Sequence, residues 1–163
     1  MSALFDLTGR KALVTGGGRG LGRAIAIGLA QHGADVAVTS RTVSELDETA
    51  TAIRGIGRKC LVVPGDASRK AEIDRVVDET AAGLGRVDIL INNAGVDAAA
   101  PAIDYTESDF DFVLDVNLKA YFFFAQAAAK VMMANGGGAI ANNSSICGEV
   151  AVKNISAYNI SKG

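Results

Sequence analysis

Hydrophobic positions along this chain come in short continuous runs, separated by longer stretches of helical period. Lys11–Thr15 (KALVT), Asp35–Thr39 (DVAVT), Cys60–Val63, Asp88–Ile91 (DILI) and Ala139–Asn143 read as five strands. Between them the period changes. Leu21–His32 reads as a helix, apolar at Leu21, Ile25 and Leu29 and closed by Gly33. Ser44–Ile56 is a more polar helix stopped by Gly57. Ala71–Leu84 places Ile73, Val76, Val77 and Leu84 on one face, and Ser108–Ala134 is a long helical stretch ending in Asn135-Gly-Gly-Gly. Such alternation predicts crossover units and a parallel sheet. Nearly continuous apolar strands fit a sheet covered on both faces. The expectation is an α/β, Rossmann-type doubly wound parallel sheet of five strands in the order 3-2-1-4-5. A ligand belongs at the carboxyl ends of the strands, where the winding reverses between strands one and four. The chain reads as one dinucleotide-binding domain over residues 1–163, with no internal repeat and no linker.

Composition narrows the function by exclusion. Net charge is −2, which favours neither nucleic acid nor an anionic membrane as partner. No apolar stretch reaches the ~20 residues needed to span a bilayer, and MSALFDLTGRK lacks the form of a secretory signal. Cys60 and Cys147 make no metal-ligand spacing; as reduced thiols they fit a cytoplasmic location and the role of small buried hydrophobes. His32, the sole histidine, reads as a helix-end surface residue.

Candidate chemistry lies where the strands end. Gly16, Gly20 and Gly22 fall between strand one and the following helix, where backbone N–H groups and a helix N-terminus can face a pyrophosphate. A phosphate loop of NTPases needs Lys and then Ser or Thr after the last glycine, and Arg23-Ala24 stand there instead. The spacing is G-x-x-x-G-x-G. Asp66 follows strand three, Asn93, Ala94 and Gly95 follow strand four, and Ser145 follows strand five. Tyr158 and Lys162 then form Y-x-x-x-K, thirteen residues after Ser145. A lysine at i+4 stands on the same helix face as the tyrosine, where its ammonium favours the phenolate of a group that ordinarily titrates near ~10.

Together T-G-x-x-x-G-x-G, N-N-A-G, the serine and Y-x-x-x-K resemble the classical short-chain dehydrogenases/reductases, over the whole chain and in order. The resemblance implies hydride transfer between a nicotinamide and an alcohol or carbonyl, with Asn117 (in DVNL), Ser145, Tyr158 and Lys162 as the catalytic quartet. Ser145 would donate to the substrate oxygen, Tyr158 would act as acid and base, and Asn117 would hold a water that passes protons to Lys162. Gly16, Arg19, Gly20, Leu21, Gly22, Asp66, Ala67, Asn93, Ala94, Gly95, Tyr158 and Lys162 would contact the cofactor, Asp66 at the adenine amino group. Strand two ends in Thr39-Ser40-Arg41, with no acid to repel a 2′-phosphate. With Arg41 and Arg19 as phosphate partners, NADP(H) is expected over NAD(H). Gluconate and other polyol dehydrogenases and 3-oxoacyl carrier-protein reductases begin similarly. The expected partners are a small-molecule carbonyl or alcohol and, for the full-length protein, copies of itself in a homodimer or homotetramer. Family members continue into a longer helix, two more strands and a substrate lid. The chain is therefore expected to be a fragment, with strand five as a sheet edge. A non-catalytic nucleotide-binding or interaction module is the alternative, above all for the 163-residue piece.

Overall fold

A computed structural model describes residues 3–163. Its order is β1 (Lys11–Thr15), α1 (Gly20–Gln31), β2 (Asp35–Thr39), α2 (Val43–Gly55), β3 (Cys60–Val62), α3 (Lys70–Leu84), β4 (Ile89–Asn92), α4 (Glu107–Leu114), α5 (Ala120–Ala134), β5 (Ala139–Asn142) and α6 (Ser156–Lys162). All strand pairs are parallel and the sheet order is β3-β2-β1-β4-β5. The expected Rossmann arrangement is present, with bounds shifted by a residue or so.

Alternate residues of β1 to β4 feed two cores, because successive side chains point to opposite faces. Ala12, Val14, Val36 and Val38 pack under α1 and α2 through Ala26, Ala30, Leu46, Ala50 and Ile53. Leu13, Ala37 and Leu90 face α3 and α5 through Ile73, Val76, Val77, Leu84, Phe124, Ala128 and Met132. The face expected for α3 is the one buried. On α1, Gly22, Ala26 and Ala30 are buried and Leu29 packs partly against the core, while Leu21 is 68% exposed. Small residues let α1 lie close on the sheet, and that rotates Leu21 out toward the groove.

The long stretch expected over 108–134 is one helical run with a change of winding inside it. α4 passes through a π segment, Asp115–Lys119, into α5. Thr106 starts the run by accepting the Asp109 N–H on its side chain. Among the described residues β5 pairs only with β4, so it is an edge of the sheet, and all four of its residues are exposed. No described helix is long and apolar enough to cross a membrane.

Candidate active site

The carboxyl ends of the five strands open onto one groove of about 970 Å³. The glycine loop supplies Gly16, Arg19, Gly20, Leu21 and Gly22 to its wall. The β2 end adds Ser40 and Arg41, and the segment after β3 adds Asp66 and Ala67. Asn93, Ala94 and Gly95 come from beyond β4, and Ser145, Tyr158 and Lys162 close the far end. Every residue assigned from sequence to cofactor or catalysis is thus brought together, except Asn117.

Two glycines make the loop possible. Gly16 has φ 64, in the left-handed region, and any Cβ there would lie 3.0 Å from Ala94 Cα. Gly22 lies inside α1, yet a Cβ would fall 2.1 Å from the Gly16 carbonyl oxygen and 2.5 Å from Asn93 Nδ2. The loop therefore folds flat against the β4 end. Arg19, the N-cap of α1, offers no side-chain hydrogen bond to the first turn. That leaves the helix N-terminus and its dipole free for an anion. A dinucleotide's pyrophosphate fits this cradle. Asn93 and Thr15 tie β1 to β4 beneath it: the Thr15 hydroxyl accepts from the Asn93 and Ala94 N–H groups at 2.9 and 3.0 Å, and Asn93 Nδ2 donates to the Thr15 carbonyl at 3.0 Å.

At the end of the groove near β2 and β3, Asp66 accepts from the Ser68 N–H and hydroxyl at 3.0 and 2.8 Å. Partial burial pushes its carboxyl up, but these bonds and the charges of Arg41 and Arg69 outweigh it and hold the group below its ordinary value. Arg41 is exposed, and the Arg19 side chain is 84% exposed. A residue not singled out from the sequence also lines this end. Glu45, in the first turn of α2, places its carboxylate 3.8 Å from Arg19 Nε. Only the tertiary fold reveals that the first turn of α2 faces the glycine loop.

At the opposite end, Tyr158 and Lys162 lie on α6, both half-buried. Lys162 Nζ stands 5.9 Å from the Tyr158 ring centroid. It donates to the Asn143 carbonyl at 2.9 Å and to the Tyr121 hydroxyl at 3.2 Å. Burial pulls its ammonium below the ordinary lysine value. Ser145 caps a 3-10 turn, Ile146–Gly148, and its oxygen accepts the Cys147 N–H at 3.2 Å, which leaves its own proton free to donate. The loop carrying Ser145 is docked on α6. Ser144 Oγ donates to the Lys162 carbonyl at 3.1 Å, and Gly148 packs so tightly there that a Cβ would lie 2.2 Å from the same oxygen.

Asn117 stands behind the groove, 1% exposed, inside the π segment. Its Oδ1 accepts the Val96 N–H at 2.8 Å, and its Nδ2 donates to the Val96 carbonyl at 2.9 Å and to Ser161 Oγ at 3.1 Å. It therefore joins the segment after β4 to α6. A π turn inserts one extra residue per turn, and such turns recur at functional sites. The other singled-out residues stay structural. His32 caps α1 half-buried, with Nδ1 2.8 Å from the Gly28 carbonyl. Cys60 is buried, which pushes its thiol up to about 11. Cys147 departs from the expected buried hydrophobe and is half-exposed. Among the described residues no cluster of three or more His, Cys, Asp or Glu could hold a metal ion.

Residues 10–163 match the family model described as short chain dehydrogenase. The chain is 38% identical over 163 residues to gluconate 5-dehydrogenase of Gluconobacter oxydans (strain 621H), covering 98% of this chain and 62% of that protein. A short-chain type dehydrogenase/reductase from Mycobacterium marinum superposes with a TM-score of 0.94 at 35% identity, over 99% of this chain and 68% of that one. A xylitol dehydrogenase solved with NAD+ bound superposes with a TM-score of 0.92 at 32% identity, over 96% and 60%. The chain belongs to the short-chain dehydrogenase family. It spans about three fifths of the length of the gluconate dehydrogenase it resembles.

Proposed function

We propose that the intact protein is an NADP(H)-dependent oxidoreductase that interconverts a secondary alcohol and a carbonyl by hydride transfer. One observation carries the reading: a single groove is lined at one end by an uncapped glycine-loop helix and at the other by Ser145, Tyr158 and Lys162. A bound nicotinamide supplies or takes the hydride; the chain's own residues do the rest. The Ser145 hydroxyl donates to the substrate oxygen and orients it. The Tyr158 hydroxyl gives that oxygen a proton in reduction and takes it back in oxidation. The Lys162 ammonium, 5.9 Å from the Tyr158 ring centroid, stabilises negative charge on the tyrosine oxygen during the transfer. Asn117 braces α6 against the loop beyond β4 and, in the family reading, also holds the water that refills the lysine.

The NADP(H) preference rests on Ser40, where no carboxylate opposes a 2′-phosphate, and on Arg41 and Arg19, both open to the groove. Glu45 works against it by sharing Arg19. A phosphate–guanidinium pair is worth ~1.5–3 kcal/mol, so with one arginine partly engaged the preference is roughly tenfold. The substrate is a small carbonyl or polyol-like alcohol, in keeping with the gluconate and xylitol dehydrogenases among the relatives. Leu118, Phe122 and Ile160 on the π segment, α5 and α6 are 52, 63 and 58% exposed, which supports a homodimer or homotetramer of the full-length protein.

The deciding experiment adds NADPH or NADP+ and a panel of ketones, sugars and polyols to the full-length protein and follows the nicotinamide absorbance. Turnover is expected, and Tyr158→Phe lowers kcat at least about hundredfold while cofactor affinity stays within twofold. Near-normal turnover in Tyr158→Phe overturns the reading.

A further inference from the structure

Resting on that functional reading, we propose that Tyr121 is a positioning residue for the catalytic lysine, holding the Lys162 ammonium between its ring and its hydroxyl beside a fixed backbone carbonyl. The motif spacing points only to Tyr158 as the lysine's aromatic partner. The structure adds a second tyrosine from a different helix. Lys162 Nζ lies 4.7 Å from the Tyr121 ring centroid, closer than the 5.9 Å to Tyr158. Nζ also donates to Tyr121 Oη at 3.2 Å.

The three groups close a triangle. The Tyr121 hydroxyl donates to the Asn143 carbonyl at 3.3 Å, and Nζ donates to the same oxygen at 2.9 Å. Both vertices are anchored to the sheet. Asn143 donates its backbone N–H to the Asn92 carbonyl at 2.8 Å and its Nδ2 to Asn93 Oδ1 at 3.0 Å. Asn92 Nδ2 in turn donates to the Tyr121 carbonyl at 3.1 Å. The lysine head is thus located by the ends of β4 and β5, independently of α6, which carries it.

The chemistry suits the task. Burial, with Tyr158 adding to it, pushes the Tyr121 phenol up to about 12, so it remains a neutral hydroxyl that accepts from Nζ and donates to Asn143 together. A half-buried ammonium needs acceptors in place of water, and a π face adds attraction for a cation. The groups facing Nζ are Tyr121 from α5, Tyr158 from α6 and the Asn143 carbonyl after β5. α4 and the π segment also pack on α6 and carry Glu107, Asp109, Asp111 and Asp115; Asp109 engages Thr106, Asp115 pairs with Lys119, and none of the four forms a salt bridge with Lys162. Among the described residues no carboxylate forms a salt bridge with Lys162, so Tyr121 and Asn143 are what compensates its charge.

Tyr121→Phe in the full-length protein tests this, because it keeps the ring and deletes the acceptor. Removing a hydrogen bond to the charged form favours the neutral amine. The Lys162 titration, read by 13Cε NMR and assigned by its loss in Lys162→Met, is expected to fall by about half a unit or more. The high-pH limb of kcat/KM for alcohol oxidation moves down with it, while cofactor affinity and melting temperature stay near wild type. Tyr121→Leu, which also removes the π face, moves both further. An unchanged Lys162 titration in Tyr121→Phe overturns the proposal. If the wild type shows no nicotinamide-linked turnover, the functional reading falls and the NMR titration still decides the contact. If turnover is normal and the titration is unmoved, only the role of Tyr121 falls.

Discussion

Thr15 and Asn93 hold each other in both directions: the Thr15 hydroxyl accepts the Asn93 N–H at 2.9 Å, and Asn93 Nδ2 returns a bond to the Thr15 carbonyl at 3.0 Å. This clasp joins β1 to β4 where the sheet reverses its winding, directly under the glycine loop. Thr15 is 1% exposed, so no water can replace it. Thr15→Val keeps the shape and leaves the Asn93 and Ala94 N–H groups without their acceptor. A buried donor left unmade costs ~1–3 kcal/mol, so urea unfolding is expected to show a loss in that range. A loss below about 0.5 kcal/mol, the level of an ordinary surface substitution, would count against the clasp.

Two glycines of α1 predict opposite outcomes. Gly22→Ala puts a methyl 2.1 Å from the Gly16 carbonyl and must open the loop. Cofactor affinity is expected to fall more than about tenfold. Gly28→Ala meets nothing within 4 Å on the same helix. Replacing a helical glycine by alanine there stabilises by ~0.5–1 kcal/mol, with binding unchanged. Calorimetric titration and thermal melts of the pair separate the two effects.

Cofactor choice should respond to three positions in a defined order. Ser40→Asp places a carboxylate at the β2 end and reverses the preference toward NAD(H). Arg41→Ala removes most of it. Glu45→Gln frees Arg19 and strengthens NADP(H) binding by a few fold, on the scale of an exposed pair of ~0.2–1 kcal/mol. Titration of both cofactors against each variant checks the order, and unchanged ratios in all three would place the adenosine end elsewhere.

Acid stability should depend on Asp35. Burial pushes its carboxyl up, but Lys11 Nζ at 2.5 Å, the Lys59 N–H at 3.1 Å and the charge of Arg58 outweigh that, so it titrates below the ordinary aspartate value. A carboxylate lowered on folding contributes stability that is complete above its unfolded value near ~3.9 and is lost as pH falls through the lower folded value. Unfolding free energy is expected to drop below about pH 4, and Asp35→Asn should flatten that part of the curve while lowering stability at neutral pH. An identical acid limb in Asp35→Asn would place the titration on other carboxylates.

The strands, the crossover order, the loop positions of Gly16, Asp66, Asn93 and Ser145 and the shared helix of Tyr158 and Lys162 were legible in the chain because each depends on local period or fixed spacing. Apolar runs bounded by glycines define strands whatever lies beside them, and a lysine at i+4 shares a helix face with its tyrosine in any fold. The buried face of α1 was not legible in full: of the apolar Leu21, Ile25 and Leu29, Leu29 packs against the core, but the fully buried contact falls to Gly22, Ala26 and Ala30 and leaves Leu21 exposed. Nor was the π segment, since winding changes leave no periodic mark over Asp115–Lys119. Tyr121 and Glu45 were invisible for a different reason. Each meets its partner across a large separation in sequence, 41 residues from Tyr121 to Lys162 and 26 from Arg19 to Glu45. Only the register of β4 and β5, and the approach of α2 to the glycine loop, brings those side chains together.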